Sequence, residues 1–217
     1  MKDSYKTISD KSEGEFKDRG SKFFAYAFPV YSEADWHSAL DTIKALHPKA
    51  RHWCYAYRLG VDGNQFRAND DGEPSGTAGK PILGQIDSFG LTNVFIVVVR
   101  YFGGTLLGTS GLINAYRTSA AEALNQANII EKIVADVYEL VFDYAIMSDV
   151  MNGVKKLKLE VVSQDFGNIG KLQIAIRQSE VEDILIALKA RILKKSINEA
   201  QHIEEIEGLQ IKFSHTR

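Results

Sequence analysis

Val137-Tyr138-Glu139-Leu140-Val141-Phe142-Asp143-Tyr144 alternates, with Val137, Glu139, Val141 and Asp143 on one side and Tyr138, Leu140, Phe142 and Tyr144 on the other. Successive strand side chains point to opposite faces, so this spacing predicts a strand with one thoroughly buried face. Downstream, Ser148-Asp149 is a candidate cap for a helix whose apolar positions Val150, Met151, Val154 and Leu157 share a stripe. Residues 159–165 and 171–177 flank Phe166-Gly167-Asn168-Ile169-Gly170, a glycine-rich hairpin connection. Ser179 then precedes a second amphipathic helix carrying Val181, Ile184, Leu185, Leu188 and Ile192, and residues 209–213 close as a strand. The order β-α-β-β-α-β is the ferredoxin-like split motif, an antiparallel sheet with two helices on one face.

Composition changes upstream of this unit. All four prolines (Pro29, Pro48, Pro74, Pro81) and every glycine but Gly153, Gly167, Gly170 and Gly208 precede Ile130. A domain boundary is expected near 130–136, giving domains 1–132 and 133–217 in an α+β chain. In the first domain, residues 15–17 and 23–30 read as paired strands. Ser32-Glu33-Ala34-Asp35 starts a helix with a serine cap and an acid three residues on, running to His47 and burying Trp36, Leu40, Ile43 and Leu46. Residues 52–59 read as a strand turning at Val61-Asp62-Gly63-Asn64 into a short partner at 65–68. Ile82, Leu83, Ile86 and Phe89 predict a short helix ended by Gly90. Residues 94–99 are apolar on both faces, hence a central strand. Residues 110–127 form the last helix, with Leu112, Ile113, Tyr116, Ala120, Ala123 and Leu124 inward. There is no internal repeat.

The balance of 26 Lys+Arg against 28 Asp+Glu, net charge −2, excludes a generally basic nucleic-acid coat, so phosphate contacts require a local patch. With 45% hydrophobic and 25% charged residues in 217, the chain is globular rather than disordered. The single cysteine, Cys54, forbids an internal disulfide and a multi-cysteine zinc site. Met1-Lys2-Asp3-Ser4-Tyr5-Lys6 has no apolar stretch behind its charges and does not read as a signal peptide. The apolar run at 94–99 is far short of the roughly 20 residues of a membrane span. A soluble, cytoplasmic protein without membrane contact is expected.

Two segments could carry chemistry. The first is Asn69-Asp70-Asp71-Gly72-Glu73-Pro74-Ser75-Gly76-Thr77-Ala78-Gly79-Lys80-Pro81. Asp70, Asp71 and Glu73 could hold a hard cation such as Mg²⁺ through oxygen ligands. Ser75, Gly76, Thr77 and successive backbone N–H groups could instead cradle a phosphate, with Lys80 neutralising it. Prolines at 74 and 81 exclude a Walker A loop. A plain surface loop is the structural alternative. The second segment is Arg100-Tyr101-Phe102-Gly103-Gly104-Thr105-Leu106-Leu107-Gly108-Thr109-Ser110-Gly111, between the central strand and a helix. Its glycines let backbone approach a ligand, and a helix N-terminus offers N–H groups to an anion. Tight packing with Ser110 as cap is the alternative. His52 and Cys54 share a strand face, where core packing is the expected role. Lys155-Lys156-Lys158 and Lys194-Lys195 read as solvated helix ends. No standard catalytic constellation is present.

The sequence 70–83, with Val99-Arg100-Tyr101-Phe102-Gly103-Gly104-Thr105-Leu106-Leu107-Gly108, resembles the signature of the IMPACT/YigZ family. Arg19-Gly20-Ser21-Lys22-Phe23 and His52-Trp53-Cys54-Tyr55-Ala56-Tyr57-Arg58 fit earlier motifs of that family. The resemblance spans most of 15–127 and is carried over the second domain by pattern alone. It implies a first domain like elongation factor G domain IV, in the fold of a ribosomal small-subunit protein, and a second like domain V. Eukaryotic relatives are translational regulators that compete for a kinase activator in starvation. Their extra partner-binding domain has no counterpart in this sequence.

The leading expectation is therefore a non-enzymatic, translation-associated protein that binds the ribosome or structured RNA. Ser75, Gly76, Thr77, Lys80, Arg100 and the N–H groups near Gly103-Gly104 would meet phosphates. Tyr101 would stack on a base or ribose, with Lys22, Arg51 and Arg58 as outer contacts. No cofactor is expected. One competing reading is a site, enzymatic or not, for a phosphorylated small molecule, with Asp70, Asp71 or Glu73 on Mg²⁺. Another is a pure protein-interaction module with a partner in translation control.

Overall fold

The computed structural model describes residues 3–217; Met1 and Lys2, which open the stretch read against a signal peptide, lie outside the described residues. The chain divides into two compact units, one of Ser4–Lys132 and the other of Ile133–Arg217 joined by Asp3.

The first unit runs β1 (Ser4–Ile8), β2 (Ser12–Asp18), β3 (Ser21–Pro29), α1 (Glu33–Leu46), β4 (His52–Leu59), β5 (Gln65–Asn69), α2 (Gly79–Ser88), β6 (Val94–Tyr101), α3 (Gly108–Asn125) and β7 (Ile129–Ile133). Five strands form one sheet in the order β2-β3-β6-β4-β5, and β1 and β7 form a separate pair. The central strand β6 is buried on both faces by strict alternation. Val94, Ile96 and Val98 pack with α2 and α3, including Ile82, Ile86, Leu112 and Tyr116. Phe95, Val97 and Val99 face α1 through Trp36, Leu40 and Ile43. The apolar run 94–99 is therefore the middle of an α/β/α sandwich. Helix α1 starts as its sequence dictates: Ser32 Oγ accepts the Asp35 N–H, while the Asp35 carboxylate accepts the Ser32 N–H.

The second unit runs β8 (Ala135–Phe142), α4 (Met147–Lys156), β9 (Glu160–Phe166), β10 (Gly170–Arg177), α5 (Val181–Leu193), α6 (Ile197–Ala200) and β11 (Leu209–Thr216). Its sheet order is β11-β8-β10-β9 with every pair antiparallel, which is the ferredoxin-like arrangement. Leu140, Phe142, Leu172, Ile174 and Ile176 meet Val150, Val154, Leu188 and Ile192 from α4 and α5 in one core. The chain is thus α+β with two domains.

Several local expectations fail. Leu46, the last residue of α1, is exposed. Ser148 is not a cap: Ile146 holds that position and makes no side-chain bond, while Asp149 in the first turn pairs with Lys194. Ser110 lies inside α3, which begins two residues earlier behind Leu107. The short helix expected around Ile82, Leu83 and Ile86 is present as α2, beginning at Gly79 and ending with Phe89 as its C-cap before Gly90. Strands β1 and β7 and helix α6 were not legible in the sequence.

Candidate functional site

Both glycine-rich segments reach the same end of the five-stranded sheet. Register places Lys22 of β3 opposite Tyr101 of β6, and His52 of β4 opposite Arg100. The loop after β5 folds over this end: His52 Nδ1 lies 2.8 Å from the Asp71 carbonyl, and the Trp53 N–H donates to the Asp71 carboxylate at 2.7 Å.

The loop does form an anion-binding nest at the start of α2, and its own Asp70 fills it. The N–H groups of Gly76, Ala78 and Gly79 donate to the Asp70 carboxylate at 2.8, 3.0 and 2.8 Å. Burial pushes the Asp70 carboxyl up, but these three N–H groups and Lys80 outweigh it and hold the group below its ordinary value. Gly79 must be glycine here, since a Cβ would lie 2.5 Å from the Asn69 nitrogen. Thr77 is buried and its hydroxyl donates to the Pro74 carbonyl. Gly76 and Thr77 are thus engaged internally, and the N–H groups expected to cradle a phosphate hold the Asp70 side chain in this structure. Ser75 and Lys80 remain exposed on its rim.

Glu73 turns inward. Its Oε1 accepts from Arg100 Nη1 at 2.6 Å and from the Tyr116 hydroxyl at 2.8 Å, with the Glu73 and Arg100 side chains only 4% and 8% exposed. Cys54 Sγ lies 3.0 Å from the Asp70 carbonyl and 3.3 Å from the Tyr116 hydroxyl. Burial pushes both the Cys54 thiol and the Tyr116 phenol up, so neither supplies an anion at neutral pH. Asp70, Asp71 and Glu73 therefore face three different sets of partners and are not brought together. No trio of His, Cys, Asp or Glu among the described residues is placed to hold a metal.

Arg100 and Tyr101 leave β6 on opposite faces. Tyr101, expected to stack on a base, is half-buried on the α1 side, edge-on to Phe24 with its hydroxyl 3.0 Å from His47 Nδ1. The other ring nitrogen of His47 meets the Tyr26 hydroxyl at 2.7 Å. Gly103 is held against the β2–β3 turn: its N–H donates to Ser21 Oγ, and a Cβ on Gly103 would fall 1.9 Å from the Gly20 carbonyl carbon. That N–H is thus not available to a phosphate, whereas Gly104, at φ +87°, sits in open space. Lys22 and Arg51 are exposed at this sheet end. Arg58 lies at the far end of β4, about 20 Å along the strand. There it pairs with Asp87 at 2.7 Å, so it does not belong to the site. In the second unit, Lys156, Lys194 and Lys195 are exposed at or just past helix ends, as expected, and share one cavity with Arg191.

The internal ion pair, the Asp70 nest and the missed Tyr116 hydroxyl carried no local signal. The ion pair and the tyrosine contact join residues 27 and 43 positions apart, and the nest, though local, does not say in sequence whether its occupant is a ligand or its own Asp70. Only the charged character of Glu73 and Arg100 hinted that a partner was required.

These features define a two-domain α+β protein whose first domain presents two interlocked glycine-rich loops at one sheet end. The Impact N-terminal domain model matches residues 19–124. The Bacillus subtilis IMPACT family member YvyE is 36% identical, covering 72% of each chain. A Haemophilus influenzae IMPACT family member is 35% identical over 81% of this chain and 84% of its own. A crystal structure of a hypothetical protein matches 97% of both chains with a TM-score of 0.68 at 27% identity. The chain belongs to the IMPACT family. No helix among the described residues is long and apolar enough to cross a membrane.

Proposed function

We propose that the protein is a non-enzymatic, translation-associated regulator that binds the ribosome or structured RNA through the sheet end bearing the two loops. The observation that carries this reading is the division of labour at that end. The groups suited to catalysis or metal binding (Asp70, Asp71, Glu73, Cys54 and Tyr116) are all engaged in holding the loops. The cations Lys22, Arg51 and Lys80 stand exposed on the rim and enter no ion pair among the described residues. A rigid, preorganised rim with outward cations suits recognition of phosphates by shape. Near-neutral net charge suits a small footprint, for which binding falls only gently with salt.

The test is co-sedimentation with ribosomes and separated subunits over a salt series, comparing wild type with Lys22→Ala/Lys80→Ala. Saturable binding weakened in the variant is expected. Absence of binding at physiological salt would overturn the reading.

A further inference from the structure

Beside the loops, Lys49, Arg51, Arg100, Phe102 and Leu106 line a cavity of about 490 Å³. Three cations meet here and only Arg100 has a counter-charge, in Glu73. Lys49 and Arg51 are exposed and enter no ion pair among the described residues. Arg100 is 8% exposed, and its Nε has no hydrogen-bond partner. Its guanidinium lies between two rings, 5.6 Å from Phe23 below and 5.6 Å from Phe102 outside. Phe102 is 56% exposed and Leu106 82% exposed, although both are large and apolar. Sequence reading gave neither residue a role, nor Lys49.

An aromatic face beside uncompensated cations matches a nucleotide, whose flat base and anionic phosphate lie next to each other. The base must be unstacked to reach Phe102, which a duplex does not permit. We infer that this cavity holds one unpaired nucleotide of single-stranded RNA, with its base on Phe102 and Leu106 and its phosphate between Lys49 and Arg51. Arg100 forms the charged floor, fixed by Glu73 and Tyr116 so that its fork does not turn away. The polymer, though not the nucleotide, rests on the translation-associated reading above.

The experiment is fluorescence anisotropy of a labelled eight-nucleotide oligouridylate over a salt series, with the full chain. Phe102→Ala, at an exposed position that leaves the core intact, should weaken binding roughly ten- to hundredfold. Lys49→Gln/Arg51→Gln should reduce the slope of log affinity against log salt by about 0.7, the value for one phosphate neutralised on a single strand. Lys171→Gln, on β10 of the other domain, should bind as wild type. Binding that neither site variant alters, or no binding at low salt, overturns the inference. Uridine monophosphate competing at equal nucleotide concentration would overturn the polymer and assign the cavity to a free nucleotide. Running Phe102→Ala in the ribosome assay separates the two proposals. Ribosome binding that is unchanged by this variant refutes the cavity as the RNA contact and keeps the translation reading. Oligouridylate binding without ribosome binding does the reverse.

Discussion

Consider Glu73→Ala. Glu73 Oε1 accepts from Arg100 Nη1 at 2.6 Å and from the Tyr116 hydroxyl at 2.8 Å, between side chains almost closed to water. Truncation leaves a guanidinium buried with no counter-charge and with an Nε that already has no partner. Removing one member of a buried ion pair costs about 3–5 kcal/mol. The stranded tyrosine hydroxyl belongs to the same network, so its penalty does not simply add. At about 3–5 °C per kcal/mol for a domain of this size, the first domain should melt roughly 9–25 °C lower. Trp36 and Trp53, the two tryptophans of the chain, both lie in that domain, so tryptophan fluorescence during urea or thermal unfolding reports on it alone. The double variant Glu73→Leu/Arg100→Met removes both charges together and should recover most of the loss. If the single variant costs less than about 1 kcal/mol, or the double costs the sum of the singles, the coupling argued for this pair does not exist.

Asp70→Asn should flatten the acid limb of stability. The folded carboxyl sits below its unfolded value of about 3.9, so its contribution is present above that pH and disappears as pH falls through the folded value. Thermal melts of both proteins between pH 5 and 2.5 would show it. His47 is depressed by burial despite the opposing charge of Glu13, so the unfolded chain takes up its proton first. Its contribution is complete above about pH 6.5 and is lost as pH falls through the lower folded value. His47→Gln should therefore show a smaller drop in melting temperature from pH 7 to 5 than wild type. Gly103→Ala should destabilise the first domain by about 1–3 kcal/mol through overpacking against Gly20, whereas Gly104→Ala meets no steric neighbour and is limited to its positive φ. Urea midpoints of the two variants give the comparison.

Much of this molecule follows from local periodicity. The capping box at Ser32, the limits of β4, the two-faced burial of β6 and the strand and helix order of the second domain are written in neighbouring residues. Backbone hydrogen bonding and face alternation act over a few positions, so a sequence states them directly. The glycine-rich segments also announced themselves as special, but not what makes them so. An Asp-rich, Gly-rich loop before a helix is equally a nest for a phosphate and a nest for its own carboxylate, and only the folded loop places Asp70 inside it. Glu73, Arg100 and Tyr116 are 27 and 43 positions apart in their two contacts, and their meeting depends on how α3 and the loop after β5 pack against β6. The same packing turned Arg100 inward, sent Tyr101 to His47 on the other face and left Phe102 in solvent. The sequence by itself determined most of the elements, their order and the candidate segments, but not β1, β7 or α6. Tertiary structure decided which charged groups neutralise one another and which stay open to a partner, because that choice depends on burial and on distances between residues remote along the chain.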